Sequence, residues 1–177
     1  MTTATKSING ESSTAQKHTI SILVQNTFGA FNRIAGLFAA KGYNIDSLSV
    51  GQTEDESVSR MTIVTRGDDQ VMEQITKQLN KLIDTVRVVD LTFESFVERE
   101  LILIKIQTRA ETRPEIMQIA EIFRAKVVDI SPKTLTLEAT GSQQKVEAIV
   151  KMLKPFGIKE LARTGRVALK REFQGEV

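Results

Sequence analysis

The stretch Gln25-Asn26-Thr27-Phe28-Gly29-Ala30-Phe31 carries residue types that can hold a small charged ligand. It joins a strand-like run to a helix-like one. The first amides of a helix are free donors at the positive end of its dipole, a place that favours a carboxylate. Gly29 lets the backbone approach a ligand with no Cβ between them. Asn26 offers a carbonyl to an ammonium and an amide to a carboxylate within one neutral side chain. Further on, Gly42-Tyr43-Asn44-Ile45 sets a second Asn beside an apolar residue. Together these types suit a zwitterion with a short aliphatic side chain. Ordinary turn chemistry, in which Asn and Gly are common, accounts for the same spacing.

Other chemistries find little to work with. There is no Cys, hence no thiolate nucleophile, disulfide or thiolate metal site, and the one His, His18, reads as a strand-end residue. Asp68-Asp69 sits where a helix begins and where carboxylates complement the dipole. Glu54-Asp55-Glu56 reads as a hydrophilic hairpin tip. No serine has an evident base beside it. The expectation is a chain that is not itself an enzyme and holds no metal or cofactor. Nucleic-acid binding by this kind of strand pattern relies on stacking aromatics. Residues 19–24, 60–65, 101–106 and 134–140 contain none.

The elements that would position these residues follow from periodicity. Residues 18–25 alternate as a strand, with Ile20, Ile22 and Val24 on one face. Phe31, Ile34, Ala35 and Phe38 keep the spacing of an amphipathic helix, which stops at Lys41-Gly42. Residues 45–50 and 58–65 predict a hairpin. Asp68 opens a helix with Val71, Ile75, Leu79 and Leu82 on one face, and residues 86–92 close as a strand. The β-α-β-β-α-β order then repeats. Residues 101–107 form a strand, and Thr112-Arg113-Pro114-Glu115 predicts a capping box before a helix burying Ile116, Ile119, Ala120 and Phe123. Residues 127–130 and 134–140 predict a hairpin around Ser131-Pro132-Lys133. Ser142 caps a helix with Val146, Ile149, Val150 and Leu153 that Pro155 ends, and residues 158–162 form a strand that Val167–Lys170 extends. The fold class is α+β, two ferredoxin-like βαββαβ units. Residues 1–17 read as a disordered extension, 18–95 and 96–171 as the two domains, and 172–177 as a tail.

Composition sets outer limits. With 177 residues, 41 % hydrophobic but only 5 % aromatic, the cores must be built from Ile, Leu, Val and Ala. Each half is small and buries little alone, so the sheets should extend across subunits or across the halves. No apolar run approaches the length of a membrane span, and residues 1–17 lack a signal-like apolar region, so the expected location is cytoplasmic. Net charge is −2 over residues 1–97, +6 over 98–171 and −2 over the tail. A basic second half suits an acidic partner, nucleic acid or plain solvation.

The strand, the turn at Asn26–Phe31 and the return at Gly42-Tyr43-Asn44-Ile45 resemble the ACT domain, an allosteric amino-acid-binding module. More narrowly, the chain resembles the family of small regulatory subunits of acetolactate synthase (acetohydroxyacid synthase). The resemblance rests on Gly29-Ala30, Arg33-Ile34-Ala35-Gly36-Leu37-Phe38, Gly42-Tyr43-Asn44-Ile45-Asp46-Ser47-Leu48, Ser59-Arg60-Met61-Thr62, Val97-Glu98-Arg99-Glu100-Leu101, Ile122-Phe123-Arg124 and Ala162-Arg163-Thr164-Gly165. It implies a dimer through the first half. It also implies a catalytic large subunit as partner, carrying thiamine diphosphate, Mg²⁺ and FAD, and feedback inhibition by a branched-chain amino acid, usually valine. Carried over, Asn26, Gly29, Ala30 and Phe31 face Asn44 and Ile45, across the dimer. The second half would dock the partner. Broader ACT patterns have Asp at Asn26, Pro at Phe28 and Leu at Phe31, so the two Phe residues would narrow the pocket or shift its preference. A free-standing amino-acid sensor acting on another target through its basic half is the alternative.

Overall fold

The computed structural model describes residues 16–172; residues 1–15 and 173–177, which include most of the expected extension and tail, lie outside it. The first unit runs β1 (Gln16–Gln25), α1 (Ala30–Lys41), β2 (Ile45–Gln52), β3 (Val58–Gly67), α2 (Asp69–Leu79) and β4 (Thr85–Asp90). Its antiparallel sheet has the order β2-β3-β1-β4. The second runs β5 (Phe96–Gln107), α3 (Arg113–Ile122), β6 (Lys126–Ile130), β7 (Thr134–Gly141), α4 (Gln143–Leu153) and β8 (Ile158–Arg163), in the order β6-β7-β5-β8, with β9 (Val167–Lys170) added. These are the two βαββαβ units of the expected α+β class. None of the helices is long and apolar enough to cross a membrane among the described residues.

Alternation builds both cores. In β1, Ile20 and Ile22 pair with Ile63 and Met61 of β3, and this face is covered by Ile34 and Phe38 of α1 and Ile75 and Leu79 of α2. In the second unit Ile102, Ile104 and Ile106 of β5 meet Leu135 and Leu137 of β7 under Ile116, Ile119, Ile149 and Leu153. Gly42 takes φ 70° and ends α1 by donating to Ala39 O at 3.1 Å. Asp68 accepts from Val71 N at 2.8 Å, and Ser142 accepts from Lys145 N at 3.5 Å.

Four details differ from the sequence reading. The buried stripe of α1 is Ala30, Ile34 and Phe38, while Phe31 is 46 % exposed. The helix thus presents a face turned by one residue. Thr112 does not form a capping box: its hydroxyl accepts from Arg109 N at 3.1 Å, one turn back, and α3 has no side-chain cap. β5 begins at Phe96, because Phe96–Arg99 pair with β9, so β9 extends β5 and not β8. Nor do the two sheets merge across the halves.

The halves meet face to face. Thr19, Ser21 and Thr62 point away from the helices of the first unit, yet they are 3 %, 5 % and 2 % exposed. The β5–β9 ribbon covers them, with β9 lying against β1 and Ala168 buried. Buried hydroxyls need partners, and Arg166 provides one. It donates from Nη1 to Thr19 Oγ1 at 2.8 Å and from its amide to Ser47 Oγ at 3.1 Å. Its Nε lies 2.9 Å from Glu98 Oε2, and its Nη2 donates to Gln143 Oε1. Gly165 takes φ 76°, and a Cβ there would meet Leu48 O at 2.8 Å.

Ile104→Ala removes a fully buried side chain and should lower unfolding free energy by about 2–5 kcal/mol. Asp68→Ala, which removes only a cap, should cost about 1 kcal/mol. Urea titrations of the two variants would expose an error if they ranked the other way.

Candidate functional site

The turn after β1 is tied down by three hydrogen bonds. Gln25 N donates to Asp84 O at 2.8 Å, Asn26 N to Ser57 O at 2.7 Å, and Asn26 Nδ2 to Glu56 O at 3.0 Å. Asn26 therefore locks the strand end to the β2–β3 hairpin and keeps its carbonyl oxygen for other use. Gly29 is the N-cap of α1 at φ 84°, ψ −4°, a conformation costly for any residue with a Cβ. The helical ladder begins with Arg33 N donating to Gly29 O at 3.0 Å, so the amides of Phe31 and Asn32 stand ahead of it. No acidic side chain lies in the first turn to answer that positive end.

A charged cluster that the sequence reading overlooked lies beside this turn. Arg33 Nε donates to Asp84 Oδ2, while Thr27 Oγ1 donates to Asp84 Oδ1 at 3.1 Å. Helical side chains lean toward the N-terminus. Arg33 thereby folds back over Gly29, its Nη1 3.1 Å from where a Cβ on that glycine would sit. The Arg33 hydrogen bond holds the Asp84 carboxyl below its ordinary range, with the Thr27 hydroxyl adding to the effect. The same bond raises the guanidinium. Arg33 stood within a recognised motif, but Asp84, fifty-one positions on, carries no local signal.

Asn44 and Ile45 occupy the opposite end of the sheet. Asn44 O accepts from Thr65 Oγ1 at 2.6 Å, and its Nδ2 donates to Asp46 Oδ1 at 3.0 Å. Asp46 in turn pairs with Arg66 at 2.9 Å. Ile45 is half-buried against the first core and aligns with Thr65, which aligns with His18 of β1. From His18 to Gln25 the strand rises about 23 Å. Asn26, Gly29, Ala30 and Phe31 thus gather at one end of the sheet and Asn44 with Ile45 at the other, and within one chain they do not meet. Ala30 is buried under the helix start, whereas Phe28 is fully exposed and lines nothing in its own chain. His18 lies near the start of β1, as expected, and is fully buried, its Nδ1 3.2 Å from Asp90 Oδ2 and its ring edge-on to Phe93.

In the second half, β6 is an edge strand whose Val128 and Ile130 are exposed, and Ile122 at the end of α3 is 77 % exposed.

Residues 20–87 match the family described as the AHAS small subunit-like ACT domain, and residues 99–172 match the family described as the small subunit of acetolactate synthase. An acetolactate synthase small subunit from Aquifex aeolicus is 56 % identical over 89 % of this chain and 82 % of its own length. A probable one from Archaeoglobus fulgidus is 53 % identical over 88 % and 97 %. The crystal structure of the acetolactate synthase small subunit from Thermotoga maritima superposes with a TM-score of 0.80 at 42 % identity, over 88 % of this chain and 98 % of that one.

The Asp84 cluster predicts an acid-sensitive fold. A carboxyl whose folded pKa is lowered contributes stability that is fully present above its unfolded value, about 3.9, and is lost as pH falls through the folded value. Urea midpoints measured from pH 6 to pH 2.5 should fall more steeply below pH 4 for the wild type than for Asp84→Asn. Parallel curves would show that Arg33 does not hold that carboxylate.

Proposed function

Because the chain belongs to the family of acetolactate synthase small subunits, we propose that it raises the activity of the catalytic large subunit and lets a branched-chain amino acid, valine, restrain it. The chain is the regulatory, non-catalytic member of that enzyme. Thiamine diphosphate, Mg²⁺ and FAD belong, in this reading, to the large subunit.

The observation that carries the effector site is the placement of these two groups of residues, read as half-sites, relative to the edge strand β2. β2 lies at the edge of the first sheet, with Ile45 at one end and, through the register Gln52↔Ser59↔Val24, the Asn26 turn beyond the other. Antiparallel pairing of β2 with its copy about a two-fold axis sets the Asn26–Gly29 end of one chain beside the Asn44–Ile45 end of its partner. Such isologous pairing also removes the exposed edge and covers Val50, which is 49 % exposed. A zwitterion between the chains would then have the α1 amides and Arg33 for its carboxylate, the Asn26 carbonyl for its ammonium and Ile45 for its aliphatic group. The basic second half, with the β6 edge and Ile122, supplies the docking surface for the large subunit, and its charge steers an acidic patch.

Two measurements test this. Sedimentation at micromolar concentration should give a dimer, and a monomer would leave each half-site incomplete. In calorimetry, Asn26→Ala should weaken valine binding about tenfold to a hundredfold, the worth of one hydrogen bond to a charged group. Gly29→Asp should do more, since it adds strain and a negative charge at the carboxylate position, while both variants still stimulate the large subunit. Wild-type affinity in both would place the effector elsewhere.

A further inference from the structure

The start of β2 carries two duties within five residues. Asn44 and Ile45 form one of the proposed half-sites, whereas Ser47 and Leu48 grip the second half of the molecule. Ser47 Oγ accepts from Arg166 N at 3.1 Å, and Leu48 O lies where only a glycine at 165 fits. Between the two pairs the β2–β3 register shifts, leaving Asp46 as an unpaired bulge residue. A bulge interrupts the ladder and re-aims the residues on either side of it, so a pull on Asn44 is not confined to Asn44. Asn44 also holds the bulge directly, through its Nδ2 bond to Asp46 Oδ1. A polar cavity of about 250 Å³ opens beside this point, with Asp46 and Ser47 on one wall and Glu147 and Arg163 on the other, and gives the bulge room to rearrange.

Arg166 spreads the contact into the second half. One guanidinium reaches Thr19 of β1, Glu98 of β5 and Gln143 at the start of α4, and Glu98 Oε1 accepts from Gln143 N at 3.0 Å. Its side chain is only 11 % exposed and that of Glu98 19 %. A shielded guanidinium with a partner on each of its three nitrogens switches between a few discrete arrangements rather than shifting continuously. Displacement of Ser47 would leave the Arg166 amide without an acceptor and reorient the fork, and with it the ribbon and the N-terminus of α4.

We infer that the contact of Gly165 and Arg166 with Ser47 and Leu48 is the joint that carries effector occupancy at the start of β2 into the second half, with Arg166 as its positioning residue. The inference rests on the effector reading above and adds the route by which that site acts.

Ser47→Ala removes the acceptor of the Arg166 amide, and Arg166→Lys keeps the charge but loses the three-way fork. With the full chain and purified large subunit, three quantities are read: valine binding by calorimetry, stimulation without valine, and residual activity at saturating valine. The expected result is binding within about twofold of wild type and intact stimulation, with residual activity under valine at least about fivefold higher, the low end of coupling between linked sites. If Arg166→Lys fails to fold, Ser47→Ala decides alone. Wild-type inhibition in the folded variants would overturn the inference. So would loss of valine binding, which would make these residues part of the site, or loss of stimulation with a lowered melting temperature, which would make them merely structural. A wild-type chain that does not bind valine would sink the effector reading itself and the joint with it.

Discussion

The first sheet carries helices on one face, and its other face, which an antiparallel sheet could leave to water, is shut by the second half, with Thr19, Ser21, Thr62 and Val64 all buried there. Thr19, Ser21 and Thr62 leave no room for a hydrocarbon cover that would strand them. The cover is a ribbon that brings its own donors, Arg166 on Thr19, while Arg60 of the sheet itself serves Ser21 at 3.0 Å. The position of the second half relative to the first follows from this need. So does the left-handed turn at Gly165, which brings Arg166 into reach.

The elements were legible in the sequence because each has a short period. Alternation in β1 and the three-four spacing in α2 and α4 are visible within ten residues, and so are the caps at Asp68 and Ser142, which act three residues away. The Thr112 capping box failed for a local reason: the same hydroxyl can bond forward into the helix or back to Arg109, and spacing does not distinguish the two. The strand expected from residue 101 starts five residues earlier, a start hidden because Phe96-Val97-Glu98-Arg99-Glu100 mixes charge into the apolar run. Their pairing partner lies some seventy residues on, and Glu98 holds Arg166, which reaches the first unit.

The candidate site was legible in its residue types but not in its arrangement. Asn26, Gly29, Asn44 and Ile45 stand out as turn and strand-start residues, yet spacing along the chain says nothing of the roughly 23 Å that separates the two pairs across the sheet. Arg33 and Asp84 show the same limit from the other side. Arg33 stands out only as part of a motif and Asp84 looks like an ordinary surface charge, and only the fold makes them partners over the helix start.

β5 belongs to both parts of the second half. Its first four residues ladder with β9 against the first unit, and the rest form the centre of the second sheet, between β7 and β8. Twelve residues of strand are about 40 Å long. A beam of that length is a lever arm: pivoted at the ribbon by about 5°, it carries its far end, Gln107, through about 3 Å. The Arg166–Glu98 contact sits near the fulcrum of that lever, where small displacements are amplified along the strand instead of being absorbed by a flexible linker.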